Sequence, residues 1–232
     1  FAKDCKNLER FGFVSTAYVA GKRSGIILEE EFVHEAGFLN TYEESKYEAE
    51  MIVRSMIELL PIVIFRPSLI ITPYTKSDIS PVNALTLGLF LARKGFLPIL
   101  PGKQNNKLEI IDGITASKAI IKIFLKGKIC HSTYHVSSAQ NSPHIEDLIQ
   151  IVEQQSGKKL PIRFCGDMDN YLLELKKVTR FRPDLAAIYK KTQSFLPELA
   201  FPKTYDNRNL LEELEVKSFS KTPINSVQAI LK

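Results

Sequence analysis

The sequence predicts an α/β protein built on a parallel sheet, and three observations predict it. Apolar runs that read as strands, at residues 11–15, 62–65 and 132–137, alternate with helical patterns. The stretch between the first two runs has helical periodicity and is stopped by Pro61. A strand, a helix and a strand in that order make a parallel crossover, expected to be right-handed.

The elements follow in order. Phe1 to Arg10 reads as the last turns of a helix, and residues 11–15 as a strand. Gly21 to Asn40 reads as a polar loop in which Glu29, Glu30 and Glu31 are solvated, the alternative being that they border a substrate entrance. Thr41 and Glu44 stand in a capping-box relation and open a helix over Tyr42–Leu60. Its apolar positions Tyr47, Ala49, Ile52, Val53, Met56, Ile57 and Leu60 are expected to face inward. Ile62–Phe65 is a buried strand, and Ser68 to Ser80 is irregular, with Pro73 and Pro81 as breakers. A helix is expected over 82–94, closed near Gly95, then a loop from Phe96 to Asn106 and a short strand Leu108–Ile111. Asp112 caps a helix running to about Lys126. Ser132–Ser137 is a third strand of the main sheet. Ser142 caps a helix with Pro143 at its first position and Gly157 as its stop. After a small strand Pro161–Phe164, short helices from Asp167 are broken at Pro183, Pro197 and Pro202, and a last helix lies at 223–232.

The chain has 232 residues, 44% hydrophobic and 25% charged, enough for one domain or two small ones with a real core. Its formal charge is +5. The densest basic cluster, Lys176, Lys177, Arg180 and Arg182, reads as a solvated helix face, the alternative being a place for phosphates. No motif supports nucleic-acid binding. Cys5, Cys130 and Cys165 are far apart and odd in number, which reads as reduced thiols in a cytoplasmic protein. His34, His131, His135 and His144 lack ligand spacing, so no metal is expected. No signal peptide is visible. The longest apolar run, Ala84 to Ala92, is too short for a transmembrane segment; it reads as a pocket-lining helix, with a membrane-surface position as the alternative.

The chemistry gathers on the helix after Thr41. Tyr42 and Lys46 lie at i and i+4, on one face and about 6 Å apart along the axis. An ammonium so placed favours a phenolate, and such a phenol can work as a general acid or base. The pair alone is weak evidence, but it sits in an ordered constellation. A strand running into hydroxyl residues precedes it, and a buried strand ending in Arg66-Pro67 follows it.

Three stretches, Val14-Ser-Thr-Ala-Tyr-Val-Ala-Gly21, Asn40-Thr-Tyr-Glu-Glu-Ser-Lys-Tyr-Glu-Ala-Glu50 and Phe65-Arg-Pro-Ser68, resemble the later part of an extended short-chain dehydrogenase/reductase. The wording is most similar to the fatty acyl-CoA reductase and thioester reductase branch. The likeness is dense over residues 11–72 and continuous to about residue 155. It implies the C-terminal portion of a Rossmann-type doubly wound sheet, over 1–72 and 112–157. A small α/β substrate-binding lobe with C-terminal helices is implied over 73–111 and 158–232. It also implies a Gly-rich strand-to-helix turn for the cofactor pyrophosphate. No such turn is present, since Gly21-Lys-Arg-Ser-Gly25 has the wrong spacing. The first four strands of such a fold are missing too, and the expectation is a fragment of a longer protein.

By the same resemblance Thr16, Tyr42 and Lys46 are the catalytic set, and NADP, with NAD as the alternative, is the cofactor. Thr16 stands five residues before Gly21, where the family places its hydroxyl. Ser15, Tyr42, Lys46, Pro67, Ser68 and Ile70 are the implied cofactor contacts; Thr72 stands where a glycine is usual, and Arg66 is either structural or part of the site. The implied reaction is hydride reduction of a carbonyl or acyl thioester, carried by coenzyme A or a carrier protein. The alternatives are a sugar-nucleotide epimerase or dehydratase, a steroid-type dehydrogenase, and a non-catalytic binding module. A homodimer through the tyrosine helix is also implied, with Met51, Met56 and Leu59 at the interface or in the core.

Overall fold

The computed structural model describes residues 1–33, 35–72, 84–219 and 223–230. In chain order the elements are β1 (Phe11–Val14), β2 (Gly25–Ile27), α1 (Thr41–Arg54), β3 (Ile62–Pro67), β4 (Leu69–Ile71), α2 (Ala84–Arg93), β5 (Ile99–Leu100), β6 (Ile110–Asp112), α3 (Gly113–Phe124), β7 (Thr133–Val136), α4 (Ile145–Ser156), β8 (Arg163–Phe164), α5 (Met168–Phe181), α6 (Ala186–Thr192), β9 (Lys203–Tyr205), α7 (Arg208–Leu214) and α8 (Ile224–Ile230). They form two compact units. The first holds Phe1–Ile70, Glu109–Ser142 and Lys203–Thr222; the second holds Ile71–Leu108, Pro143–Pro202 and Pro223–Lys232. This division differs from the expected one at two places: the segment after Pro143 lies in the second unit, and the segment from Lys203 lies in the first.

The first unit is organised on a parallel sheet in the order β1-β3-β7. Phe11 stands opposite Ile62, Ile64 opposite Thr133 and Arg66 opposite His135. All six residues of β3 are buried, as its unbroken apolar start requires of a central parallel strand. Val63 and Phe65 meet Ala116, Ala119 and Ile123 of α3, Tyr134 and Val136 of β7, and Leu210 and Leu214 of α7 in one core. Gly12 lets this packing close, because a Cβ there would stand 2.8 Å from the Phe124 ring. Arg10 closes the open end of α3, donating to the carbonyls of Ile123, Phe124 and Lys126 at 3.0, 2.6 and 2.6 Å. Asp112 caps the other end as expected, accepting from the N–H groups of Ile114 and Thr115.

Several local expectations are corrected here. Phe1 to Arg10 holds a single 3-10 turn at Ala2–Asp4, not the end of a longer helix. The loop from Gly21 to Asn40 contains β2, which pairs in parallel with β9. Gly21, at φ 59°, leaves room for the Gly37 carbonyl, which accepts from Lys22 N–H at 3.0 Å. α1 ends at Arg54 instead of Leu60, because from Met56 the backbone bonds tighten to Val53 and Arg54, three residues back. β3 runs on to Pro67, and Leu69–Ile71 is a strand, not irregular chain. Pro73, Pro81 and the rest of that expected loop lie outside the described residues.

In the second unit Leu91, Leu97, Ile99, Tyr171, Leu185 and Tyr189 build a separate core. β5, inside what reads as loop in the sequence, pairs in parallel with β8, which falls within the expected small strand Pro161–Phe164. The Tyr189 hydroxyl donates to Ile99 O at 3.1 Å, which anchors α6 to β5. α4 starts at Ile145, two residues past Pro143: His144 is its N-cap, and His144 N–H donates to Asp147 Oδ2 at 2.8 Å, so Ser142 is not the cap. Gly157 ends it at φ 66°, as expected. α5 is one helix of 14 residues capped by Asp167, longer than the short pieces expected there. Its Lys176, Lys177 and Arg180 are exposed with Arg182, and Lys177 pairs with Glu174 and Arg182 with Asp184. No helix among the described residues is long and apolar enough to cross a membrane.

Candidate active site

The site residues singled out in the sequence all lie in the first unit, at or just past the C-terminal ends of β1 and β3 and on the first turns of α1, with Ile70 on β4. α1 begins there because Asn40 caps it. The Asn40 side chain accepts from Glu43 N–H at 3.0 Å, and the Glu43 carboxylate reaches back to Leu39 N–H at 2.9 Å. The cap is therefore Asn40, one residue before the expected Thr41, and Glu43 reaches past it to the residue before. Burial pushes the Glu43 carboxyl up, against the Leu39 N–H that favours its charge.

Tyr42 stands on the first turn with its side chain 55% exposed. One turn on, Lys46 Nζ donates to Val14 O at 3.1 Å and lies 5.4 Å from the centre of the Phe13 ring. The ammonium is thus tied to the last residue of β1. Ser15 and Thr16 follow directly and are both buried. Ser15 N–H extends the ladder to Phe65 O at 2.8 Å, and its hydroxyl borders the Glu50 carboxylate. Thr16 Oγ1 donates to Pro67 O at 3.4 Å and accepts from Tyr18 N–H at 3.3 Å, capping the 3-10 turn Ala17–Ala20. Lys46 and Thr16 are so brought to neighbouring strand ends, while Tyr42 stands nearer solvent on the turn before Lys46.

Beyond Pro67, Ser68 N–H donates to Val136 O at 3.1 Å. The Ser68 hydroxyl is buried without a hydrogen-bond partner among the described residues. A buried hydroxyl left so is costly unless a ligand or water completes it. Ile70 is partly exposed on β4.

Directly behind these groups lies a buried ionic layer that reasoning from sequence missed. Arg66 is 1% exposed. Its Nε and Nη2 donate to both oxygens of Glu50 at 2.7 to 3.2 Å, and Arg54 Nε donates to the same carboxylate at 2.8 Å. Burial opposes the charge on Glu50, but Arg66 and Arg54 hold its carboxyl below the usual range. Arg66 Nη1 donates to Glu31 O at 3.0 Å and Glu29 O at 3.3 Å. Phe32 lies against both cations, 4.6 Å from Arg54 Cζ and 5.5 Å from Arg66 Cζ, and stacks on Tyr47.

Glu29 corrects the expectation of a solvated acidic run most sharply. It is fully buried and accepts from His135 N–H at 2.8 Å and Asn209 N–H at 2.7 Å. Desolvation pushes its carboxyl up to about 8 against these two bonds. Glu31, nearer the surface, pairs with Arg23 and accepts from Leu28 N–H. His135 is buried too. Its Nδ1 bonds Asp206 O at 2.8 Å and its Nε2 faces Arg66 Nη1 at 3.4 Å, so Nδ1 carries the proton. Burial, then the Arg66 charge, pulls this imidazole down to about 3. The crevice lined by Val19, Arg23, Glu31, Phe32, Arg66 and His135 has no room for a water molecule, so this layer is packed structure and not a binding cavity.

One signal could have found part of this layer. Glu43, Tyr47, Glu50 and Arg54 recur at spacings of four, three and four, so charge as well as ring faces inward from α1. The expected apolar stripe is wrong in part: Ile52 is 66% exposed.

Residues 1–120 match the model of an NAD-binding family described as male sterility protein. A probable fatty acyl-CoA reductase 5 of Arabidopsis thaliana is 24% identical over 255 aligned positions, covering 85% of this chain and 51% of the plant protein. The chain therefore spans about half the length of that relative. Among solved structures, the terminal R domain of the myxalamid PKS-NRPS biosynthetic pathway superposes with a TM-score of 0.70 at 19% identity, over 96% of this chain and 57% of that one. The UDP-glucuronic acid 4-epimerase of Bacillus cereus, in complex with NAD, gives 0.66 at 17% identity, over 99% of this chain and 62% of that one. At these identities the two structures establish the shared α/β fold.

Proposed function

The chain belongs to the male sterility protein family, within the extended short-chain dehydrogenase/reductases, and from that premise we propose that it carries the proton-transfer site of an NADPH-dependent reductase acting on a fatty acyl thioester or the aldehyde derived from it. The observation that carries this reading is the Lys46 contact with Val14 O, one turn from Tyr42 and two residues before Thr16, at the ends of adjacent parallel strands. Ligands of open α/β sheets bind outside the carboxyl ends of the strands.

The reduced nicotinamide supplies the hydride when bound. Charge then builds on the carbonyl oxygen, and Tyr42 donates the proton to it. Lys46 has one backbone acceptor and two further N–H donors, which suits the hydroxyls of a ribose. The unpartnered Ser68 hydroxyl, beside the Pro67 backbone, suits a carboxamide. Thr16 has a single hydroxyl proton, which goes here to the Pro67 carbonyl; turned to the substrate oxygen instead, it supplies the second hydrogen bond.

The choice of a thioester over a sugar nucleotide is supported by the plant relative's name. The test is to purify the natural protein and follow oxidation of NADPH with long-chain acyl-CoA, with the matching aldehyde and with UDP-sugars. Oxidation with acyl-CoA or aldehyde, lost in Tyr42→Phe, is the expected result. Turnover of UDP-sugars alone would move the assignment to an epimerase or dehydratase.

A further inference from the structure

We infer that Glu50 and Arg66 form a positioning clamp that sets the height and rotation of α1 against the end of β3, and with it the place of Tyr42 and Lys46 relative to Thr16 and Ser68. The inference rests on the reading of Tyr42 and Lys46 as reacting groups. It starts from chain geometry. Glu50 stands one helical turn past Lys46 and two past Tyr42. Arg66 stands one residue before Pro67, whose carbonyl takes the Thr16 hydroxyl, and two before Ser68. One fork-on-carboxylate contact, with three N···O distances between 2.7 and 3.2 Å, therefore joins the two lines of residues that the chemistry needs in register.

The clamp is directional. A guanidinium that meets a carboxylate through two nitrogens fixes plane and distance, which a lone ammonium does not. Arg66 cannot turn to follow a moving helix, because Nη1 is held by the carbonyls of Glu29 and Glu31 and faces His135 Nε2. Glu50 cannot withdraw either, since Arg54 from its own helix holds the same oxygen, and Arg54 Nη2 is moored to Thr133 Oγ1 on β7 at 3.0 Å. Both charges are out of water, so the pair is either formed or paid for by an unpaired buried charge. Intermediate helix positions are thereby excluded.

A merely stabilising pair and a positioning pair separate in one comparison, made on the natural protein with wild type, Glu50→Gln and the double variant Glu50→Gln/Arg66→Met. The single variant strands Arg66 and lowers the melting temperature. The double variant removes both buried charges and recovers most of that loss. If the pair positions α1, the recovered protein still exchanges its amides over residues 41–49 about tenfold faster than wild type, and its turnover of the thioester or aldehyde stays down by about 100-fold with KM little changed. A double variant with recovered melting temperature, wild-type protection over 41–49 and wild-type turnover overturns the inference. Should the double variant fail to fold, Arg66→Lys keeps the charge and loses the fork, and the same exchange and turnover readings decide. If wild type itself transfers no hydride, the functional reading fails, and the exchange comparison alone still upholds or overturns the clamp.

Discussion

The two ends of α1 carry polar groups into opposite surroundings. Tyr42 and Lys46, on its first two turns, remain partly open to solvent and are held by little more than the bond to Val14 O. Glu50 and Arg54, on its last two, meet Arg66, Thr133 and Phe32 in a sealed layer. The contrast teaches how a site of this kind divides its labour. In the proposed reading Tyr42 and Lys46, which would meet substrate and cofactor, are left reachable, while Thr16 is buried beside them. Groups that fix where the helix lies are withdrawn from water, where each bond is stronger and its loss dearer.

That division predicts activity loss without stability loss at one end. Tyr42→Phe should lower turnover by about 10² to 10⁴, the range of general acid catalysis. Its melting temperature should shift by no more than about 0.5 kcal/mol of stability allows, because the ring is exposed. Steady-state kinetics beside a thermal melt checks both. A variant that loses stability and activity together would show that the open end is also structural.

The buried end should reveal itself in pH. The Glu29 carboxyl is raised to about 8, so the folded state holds a proton that the unfolded chain releases in the ordinary carboxylate range. Its contribution is present at the acid side of that window and is lost as pH rises toward about 8. His135 acts in the other sense. Its imidazole is depressed to about 3, so stability is lost as pH falls below the ordinary histidine value toward 3. Denaturant titrations of wild type should therefore show stability falling between about pH 6.5 and 8. Glu29→Gln should remove most of that alkaline fall. If the slope persists in the variant, Glu29 is ionised in the fold and its two backbone N–H partners outweigh burial.

The cap of α1 lies between the two ends in size of effect. Asn40→Ala removes the acceptor for Glu43 N–H and should cost about 1 kcal/mol. Thr41→Ala should cost less, since Thr41 is the first helical residue and not the cap. Equal losses would restore the box as the sequence suggests it, one residue later.

That shift of one residue shows where legibility ends. β3 was readable because an unbroken apolar run bounded by prolines has few other uses in an α/β chain. Asp112 was readable as a cap because its bonds are local. The Tyr42–Lys46 pair was readable because a helix fixes its spacing. Glu29 was not, because what buries it comes from His135 and Asn209, far along the chain. Arg66 is visible in the sequence but its role is not, since its partners Glu50, Glu31 and His135 come from three different segments. Locally determined features came through; buried charge, whose partners only the fold assembles, did not.

The smallest predicted effect is the sharpest check on which face of α1 is inward. Counting apolar spacing from Tyr47 places Ile52 in the core, where truncation to alanine would cost about 2–5 kcal/mol. The structure leaves it 66% exposed, on the side away from Glu43, Tyr47 and Glu50. Ile52→Ala should then change stability by less than about 0.5 kcal/mol and leave turnover unchanged, and its better helix propensity could even offset the lost contact. A loss of core size would mean that Ile52 is covered in the natural assembly, by a second copy or by further chain. Titrating protein concentration against melting temperature separates those two, because only association makes the melting temperature concentration-dependent.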